Sequence, residues 1–155
     1  HIAGYFRGNV TDRLDRYRPV FEAATDPERH PLLFNCTAGK DRTGFVAGVL
    51  LRILDVDEQT VLDDYMLSNA VRRDWIAGRE AEIRLRIAES LGVGPDEVPE
   101  ARLEASRALL NCDRLFLKAA FDAVHDDWGS WEAFRRDALG ISDDRFAAFT
   151  EVLLD

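Results

Sequence analysis

Pro31–Gly44, PLLFNCTAGKDRTG, is the stretch on which the reading of the fold turns. Leu32, Leu33 and Phe34 form a short continuous apolar run between a proline and a polar loop, the pattern of a strand buried on both faces. Past Gly44, the residues Phe45, Val46, Val49, Leu50 and Ile53 recur at helical spacing and predict a buried helix to about Leu54. Strand, tight turn and helix are therefore expected in that order, with the turn running from Cys36 to Arg42.

Within the turn, five residues separate Cys36 from Arg42. With 18 arginines in 155 residues, roughly one cysteine in eight has an arginine six places on by chance, so spacing alone decides little. Context adds weight: an apolar run before, Gly39 in the turn, Thr43-Gly44 after Arg42, then a buried helix. A turn of this length can point successive backbone N–H groups of Thr37, Ala38, Gly39, Lys40 and Asp41 inward as an anion nest at a helix N-terminus. Arg42 can add a bidentate grip on two phosphate oxygens. The same positive field favours thiolate over thiol at Cys36, making it a nucleophile near neutral pH. Cysteine, arginine and nest suit one reaction, in-line attack of sulfur on a phosphoryl group to give a cysteinyl-phosphate that water then cleaves.

Composition sets the bounds around that turn. A chain of 155 residues with 46% hydrophobic content can bury one core of ordinary size. A formal charge of −9 argues against a nucleic-acid surface, so an anionic partner has to be met by a local basic site. Lysine occurs twice, as Lys40 and Lys118, and Lys40 lies inside the turn. Two distant cysteines, Cys36 and Cys112, make no disulfide framework and show no zinc spacing, so neither metal nor cofactor is expected and a reducing compartment fits. No apolar run reaches the roughly 20 residues of a membrane span, and no signal-like hydrophobic region opens the chain. The reading is cytoplasmic, with secretion by a signal-independent route left open.

Outward from the turn the chain reads as helical. Residues 1–10 carry no clear signal, and Gly4 and Gly8 favour loop. A broken helix is expected from Thr11 to about Ala24, with Pro19 in a first turn. Asp57 is a candidate N-cap for a helix carrying Val61, Leu62, Tyr65 and Met66 and ending near Ser68-Asn69. A longer helix covers Val71 to Leu91, crowded with Arg72, Arg73, Arg79, Arg84 and Arg86, which read either as a solvated face or as a lid carrying arginines towards an anionic substrate. Further helices are expected from about Pro99 to Leu110 and from Cys112 to His125. Ser130 caps a short helix ending at Leu139 with Gly140 left-handed, and Ser142 caps a last helix. One confident strand among so many helices leaves a gap, because a strand that apolar needs neighbours on both sides.

CTAGKDRTG, residues 36–44, resembles the loop of the bacterial, atypical members of the protein tyrosine phosphatase superfamily. That group includes dual- and triple-specificity enzymes acting on phosphotyrosine, phosphoserine/threonine and phosphoinositides. A weaker likeness continues through DYMLSN at Asp64–Asn69 and LGIS at Leu139–Ser142. The resemblance implies an α/β fold with a central, mostly parallel sheet flanked by helices and a helix-dominated C-terminal half. It implies that residues 1–155 are a single phosphatase catalytic domain lacking its N-terminal strands, which agrees with the start at His1 and with the missing sheet neighbours. By position, Cys36 is the nucleophile, Arg42 the phosphate clamp, and Thr43 the hydrogen-bond donor to sulfur that eases breakdown of the intermediate. Lys40 resembles the loop lysine of relatives that handle highly anionic substrates, and Asp41 the loop aspartate proposed as general acid. The superfamily's usual histidine before the cysteine is Asn35 here, an amide that can donate hydrogen bonds but carries no charge.

Competing readings remain for several of these residues. Asp41 beside an arginine suits a base in the second step, or a carboxylate that pins the loop, as well as an acid in the first. Lys40 is otherwise a solvated charge, and Cys112 a small core residue. A nucleotide-binding P-loop is excluded by Phe34 where it needs glycine and by Asp41 after the lysine. A rhodanese-type sulfurtransferase also places cysteine in an anion loop, but the Arg-Thr-Gly ending fits phosphatases better. The expected function is metal-independent phosphomonoester hydrolysis on a phosphorylated protein. Alternatives are a phosphoinositide phosphatase and a non-catalytic phosphate-binding module.

Overall fold

The computed structural model describes residues 2–154, and among these the regular structure is helical. Helix α1 spans Ile2–Val10, α2 Arg18–Ala24, α3 Asp41–Ile53, α4 Glu58–Val71 and α5 Arg73–Leu91. Helices α6 (Glu104–Leu110), α7 (Arg114–Trp128) and α8 (Trp131–Ala133) follow; α8 runs on into a π turn, Phe134–Ala138, and α9 is Asp143–Leu154. Several boundaries fall at the expected caps. The Asp57 carboxylate accepts from the Thr60 N–H at 3.0 Å, Ser130 Oγ from Ala133 N–H at 3.1 Å, and Ser142 Oγ from Arg145 N–H at 3.3 Å. Pro19 lies in the first turn of α2, where its missing N–H costs nothing.

Helix α7 is the axis of the body, with α1, α3 and α4 packed around it. The seam is fully buried: Phe6 of α1, Phe45 and Val49 of α3, and Leu117, Phe121 and Val124 of α7 expose no surface. Side chains of that size contribute about 1.5–3 kcal/mol each when buried, so this seam is the main source of cohesion. Helix α1 corrects the expectation of a loop over residues 2–10. Phe6 and Val10 stand one helical turn apart on a single face, and that face is what the body buries.

A second, smaller cluster lies apart from the first. Ala88 of α5 packs with Val98 and Leu103, flanked by Ile83 and Ile87. Residues 73–110 thus form a helical lobe with its own core. Two of its arginines are tied to its carboxylates, Arg107 and Arg84 reaching Glu100 at 2.6 and 2.7 Å and Arg107 reaching Glu80 at 2.7 Å, and Arg72, just before the lobe, stacks over the Trp75 ring at 4.4 Å.

The expected buried strand and central sheet are not found. Among the described residues there is no strand, and Leu32–Phe34 makes no backbone hydrogen bond. Leu33 is 90% exposed. A strand is held by ladder bonds to a neighbour. Residues 2–154 supply helices instead, so the N–H and C=O groups of this segment have no backbone partner among the described residues.

Candidate active site

The segment 31–36 delivers Cys36 to the mouth of a turn, 37–40, that closes onto the first residue of α3. Local sequence explains the geometry. Gly39 takes φ +62°, a left-handed conformation that a side chain would strain, and this turns the chain back towards the helix. Gly44 sits where a Cβ would come within 2.7 Å of the Tyr65 ring, so the first turn of α3 lies directly against α4. Phe45 and Val49 then anchor α3 in the core.

Two opposing effects set the state of Cys36. Burial pushes its thiol up, while the nearby Thr43 hydroxyl and hydrogen bonds from the backbone N–H groups of Thr43, Ala38 and Lys40 pull it down. The donors win, leaving a pKa of about 6 against an ordinary value of 9.0. The Thr43 hydroxyl is buried and meets no acceptor in hydrogen-bond geometry, the sulfur included, so its effect on Cys36 is that of a nearby donor that steadies the negative charge. Arg42 is exposed and donates to Thr37 Oγ1 at 3.0 Å, which folds its guanidinium over the turn; no carboxylate pairs with it among the described residues.

Two openings flank Arg42. One, of about 150 Å³, is bounded by Cys36, Arg42 and Thr43 on one side and by Arg16, Tyr17 and Val20 on the other. The second is a cleft of about 350 Å³ lined by Ile2, Tyr5, Lys40, Asp41, Arg42 and Leu109. Arg16, Tyr17 and Tyr5 are site neighbours not singled out from the sequence. Only their place in the fold, across the turn from Cys36, marks them.

The turn thus brings together Cys36, Thr37, Ala38, Gly39, Arg42 and Thr43, with Asp41 at the edge of the cleft. Lys40 is placed differently. Its side chain is 3% exposed, and its ammonium turns away from the nest to the carbonyls of Leu109 and Asn111 at 2.6 and 3.1 Å. Asp41 Oδ1 lies 3.4 Å from the same ammonium and has no hydrogen-bond partner. Asn35 is exposed.

A thiolate at the foot of an anion nest, with an unpaired arginine across it, defines the class of cysteine-dependent phosphate-handling sites. The chain belongs to the tyrosine phosphatase family, whose model matches residues 1–155. It is similar to a Nostoc commune tyrosine-protein phosphatase, 38% identical over 133 residues, 83% of this chain and 40% of the relative. A Cupriavidus necator protein, provisionally named a tyrosine-protein phosphatase, is 36% identical over 128 residues, 81% of this chain and 42% of the relative. The triple specificity protein phosphatase PtpB of Mycobacterium tuberculosis is 32% identical over 118 residues, 72% of this chain and 40% of the relative. The chain spans about two fifths of the length of these relatives. No helix among the described residues is long and apolar enough to cross a membrane.

Proposed function

We propose that residues 1–155 are one catalytic unit of a metal-independent cysteine phosphatase. The observation that carries this reading is Cys36, held at a pKa of about 6 by Thr43 and the turn's N–H groups, with Arg42 free to take an anion beside it. The Cys36 thiolate attacks phosphorus, the S–P bond forms, and the ester P–O bond breaks. Arg42 and the N–H groups of Thr37, Ala38 and Gly39 hold the equatorial oxygens as charge builds on them. Asp41, at the edge of the cleft beside Arg42, hands a proton to the leaving oxygen and takes one from the water that next attacks phosphorus. The S–P bond then breaks, and the Thr43 hydroxyl stabilises the departing thiolate.

The substrate class is a phosphorylated protein side chain, tyrosine or serine/threonine, or a phosphoinositide. The name of the mycobacterial relative supports breadth of this kind. The exposed amide of Asn35 favours one second reading, a module that binds phosphate without turning it over. The test uses the purified protein, an aryl phosphate and a chelator. Turnover without added metal, abolished in Cys36→Ser while phosphate binding is kept, is the expected result. Binding without turnover in the unaltered protein means a module, and turnover only with divalent metal overturns the cysteine mechanism.

A further inference from the structure

Lys40 stands in the phosphate loop of the proposed phosphatase, yet its side chain is engaged elsewhere. The ammonium donates to two backbone carbonyls, Leu109 O at 2.6 Å and Asn111 O at 3.1 Å, and Asp41 Oδ1 lies 3.4 Å away as an ion-pair partner without a hydrogen bond. With its side chain 3% exposed, Lys40 is directed at these carbonyls rather than at the nest. The two carbonyls are at the C-terminal end of α6, where backbone oxygens lack helical partners and the helix dipole is negative, so a cation is favoured there. Helix α6 ends the 73–110 lobe. The lobe's root is closed by a reciprocal pair, Asn69 Nδ2 to Cys112 O at 2.9 Å and Cys112 N–H to Asn69 Oδ1 at 2.7 Å. Lys40 is the tie from the loop to that same end of the lobe.

We propose that Lys40 is a positioning residue rather than a phosphate ligand: it fastens the 73–110 lobe to the phosphate loop and so sets where Leu109 stands in the cleft beside Arg42. The two ends of the residue couple the elements. Its backbone N–H is part of the nest around Cys36, and its ammonium holds α6. Movement of the lobe therefore pulls on the loop, and Leu109, 67% exposed, moves with it as one wall of the cleft. The inference takes residues 36–42 as the phosphate loop, but it requires no turnover.

The first test leaves the sequence unaltered. The protein's two lysines, Lys40 and Lys118, are competitively acylated with an amine-reactive reagent and mapped by peptide mass. Lys40 is expected to react about tenfold or more slowly than Lys118, because its reaction requires local opening, and saturating inorganic phosphate leaves its rate unchanged. Equal rates for the two lysines, or protection of Lys40 by phosphate, overturn the proposal. The second test compares Lys40→Met and Lys40→Arg. The Met variant is expected to speed tryptic cleavage after Arg102 several-fold, and Arg to restore slow cleavage. By calorimetry, phosphate affinity in Lys40→Met is expected to fall by less than the roughly tenfold that loss of a direct ammonium–phosphate contact brings. A tenfold loss of affinity with cleavage unchanged makes Lys40 a ligand and refutes the latch. Should the Met variant fail to fold, the acylation result decides. An inert protein fails the phosphatase reading while leaving both of these readouts intact.

Discussion

At Cys36 burial and hydrogen bonding pull in opposite directions, and the balance makes a prediction in pH. The alkylation rate of Cys36 by iodoacetamide should rise with a midpoint near pH 6, whereas buried Cys112, whose thiol burial pushes up, should react only slowly. Thr43→Ala removes the side-chain donor and should move the Cys36 midpoint upward; a midpoint at or above 8 in the unaltered protein would sink this account. Stability follows the same sign. The folded-state value lies below the ordinary 9.0, so the contribution is absent below about pH 6, grows between the two values and is complete above the higher one. Cys36, Arg42 and the turn between them were legible in sequence because every contact that defines them is local; Thr43 is seven places from Cys36. Lys40 was not, since the acceptors that fix its direction are 69 and 71 residues away. No pattern around Lys40 signals them.

Among the elements, those with a chemical start or stop were readable and those held by tertiary partners were not. Asp57, Ser130 and Ser142 each cap a helix in the way their side chains allow. In helix α1, Gly4 and Gly8 lower the intrinsic propensity, and packing of Phe6 and Val10 against α7 overrides this. The opposite happens at Leu32–Phe34, where an apolar run has no strand beside it in residues 2–154. The amides of Leu32, Leu33 and Phe34 should exchange with deuterium at near-unprotected rates while those of Phe45–Val49 are strongly protected. Slow exchange at Leu33 would show a ladder partner in solution. The contact between α3 and α4 gives a second prediction. Gly44→Ala drives a methyl to 2.7 Å from the Tyr65 ring, which is held in the core at 4% exposure. Overpacking of this kind costs about 1–3 kcal/mol, read as a lower urea midpoint. An unchanged midpoint would mean that α4 moves away freely.

The molecule as a whole divides into a body around α7 and the 73–110 lobe, and the division has unequal strength. The body's core includes Phe6, Phe21, Phe45, Phe121 and Phe134 without exposed surface, whereas the lobe's consists of Ala88, Val98 and Leu103 with Ile83 and Ile87 at its margin. Polar bonds make up part of the difference. Arg107 holds the Glu80 carboxyl below the usual range, and Arg84, then Arg107, do the same for Glu100. Carboxyls lowered in this way favour the folded lobe above the ordinary glutamate range and cease to do so as pH falls through their folded values, and Asp57, Asp63 and Asp137 act in the same sense in the body. Leu103 is the residue on which the lobe's own packing turns, fully buried in one cluster with Val98 and with Ala88 of α5. Leu103→Ala removes three carbons from that small cluster at a cost of about 2–5 kcal/mol, more than so slight a core can spare. Hydrogen exchange should then show residues 73–110 unprotected while α3 and α7 keep their protection. Loss of protection in both parts together would instead show that lobe and body fold as one cooperative unit, with the Lys40 tie and the Asn69–Cys112 pair strong enough to make them so.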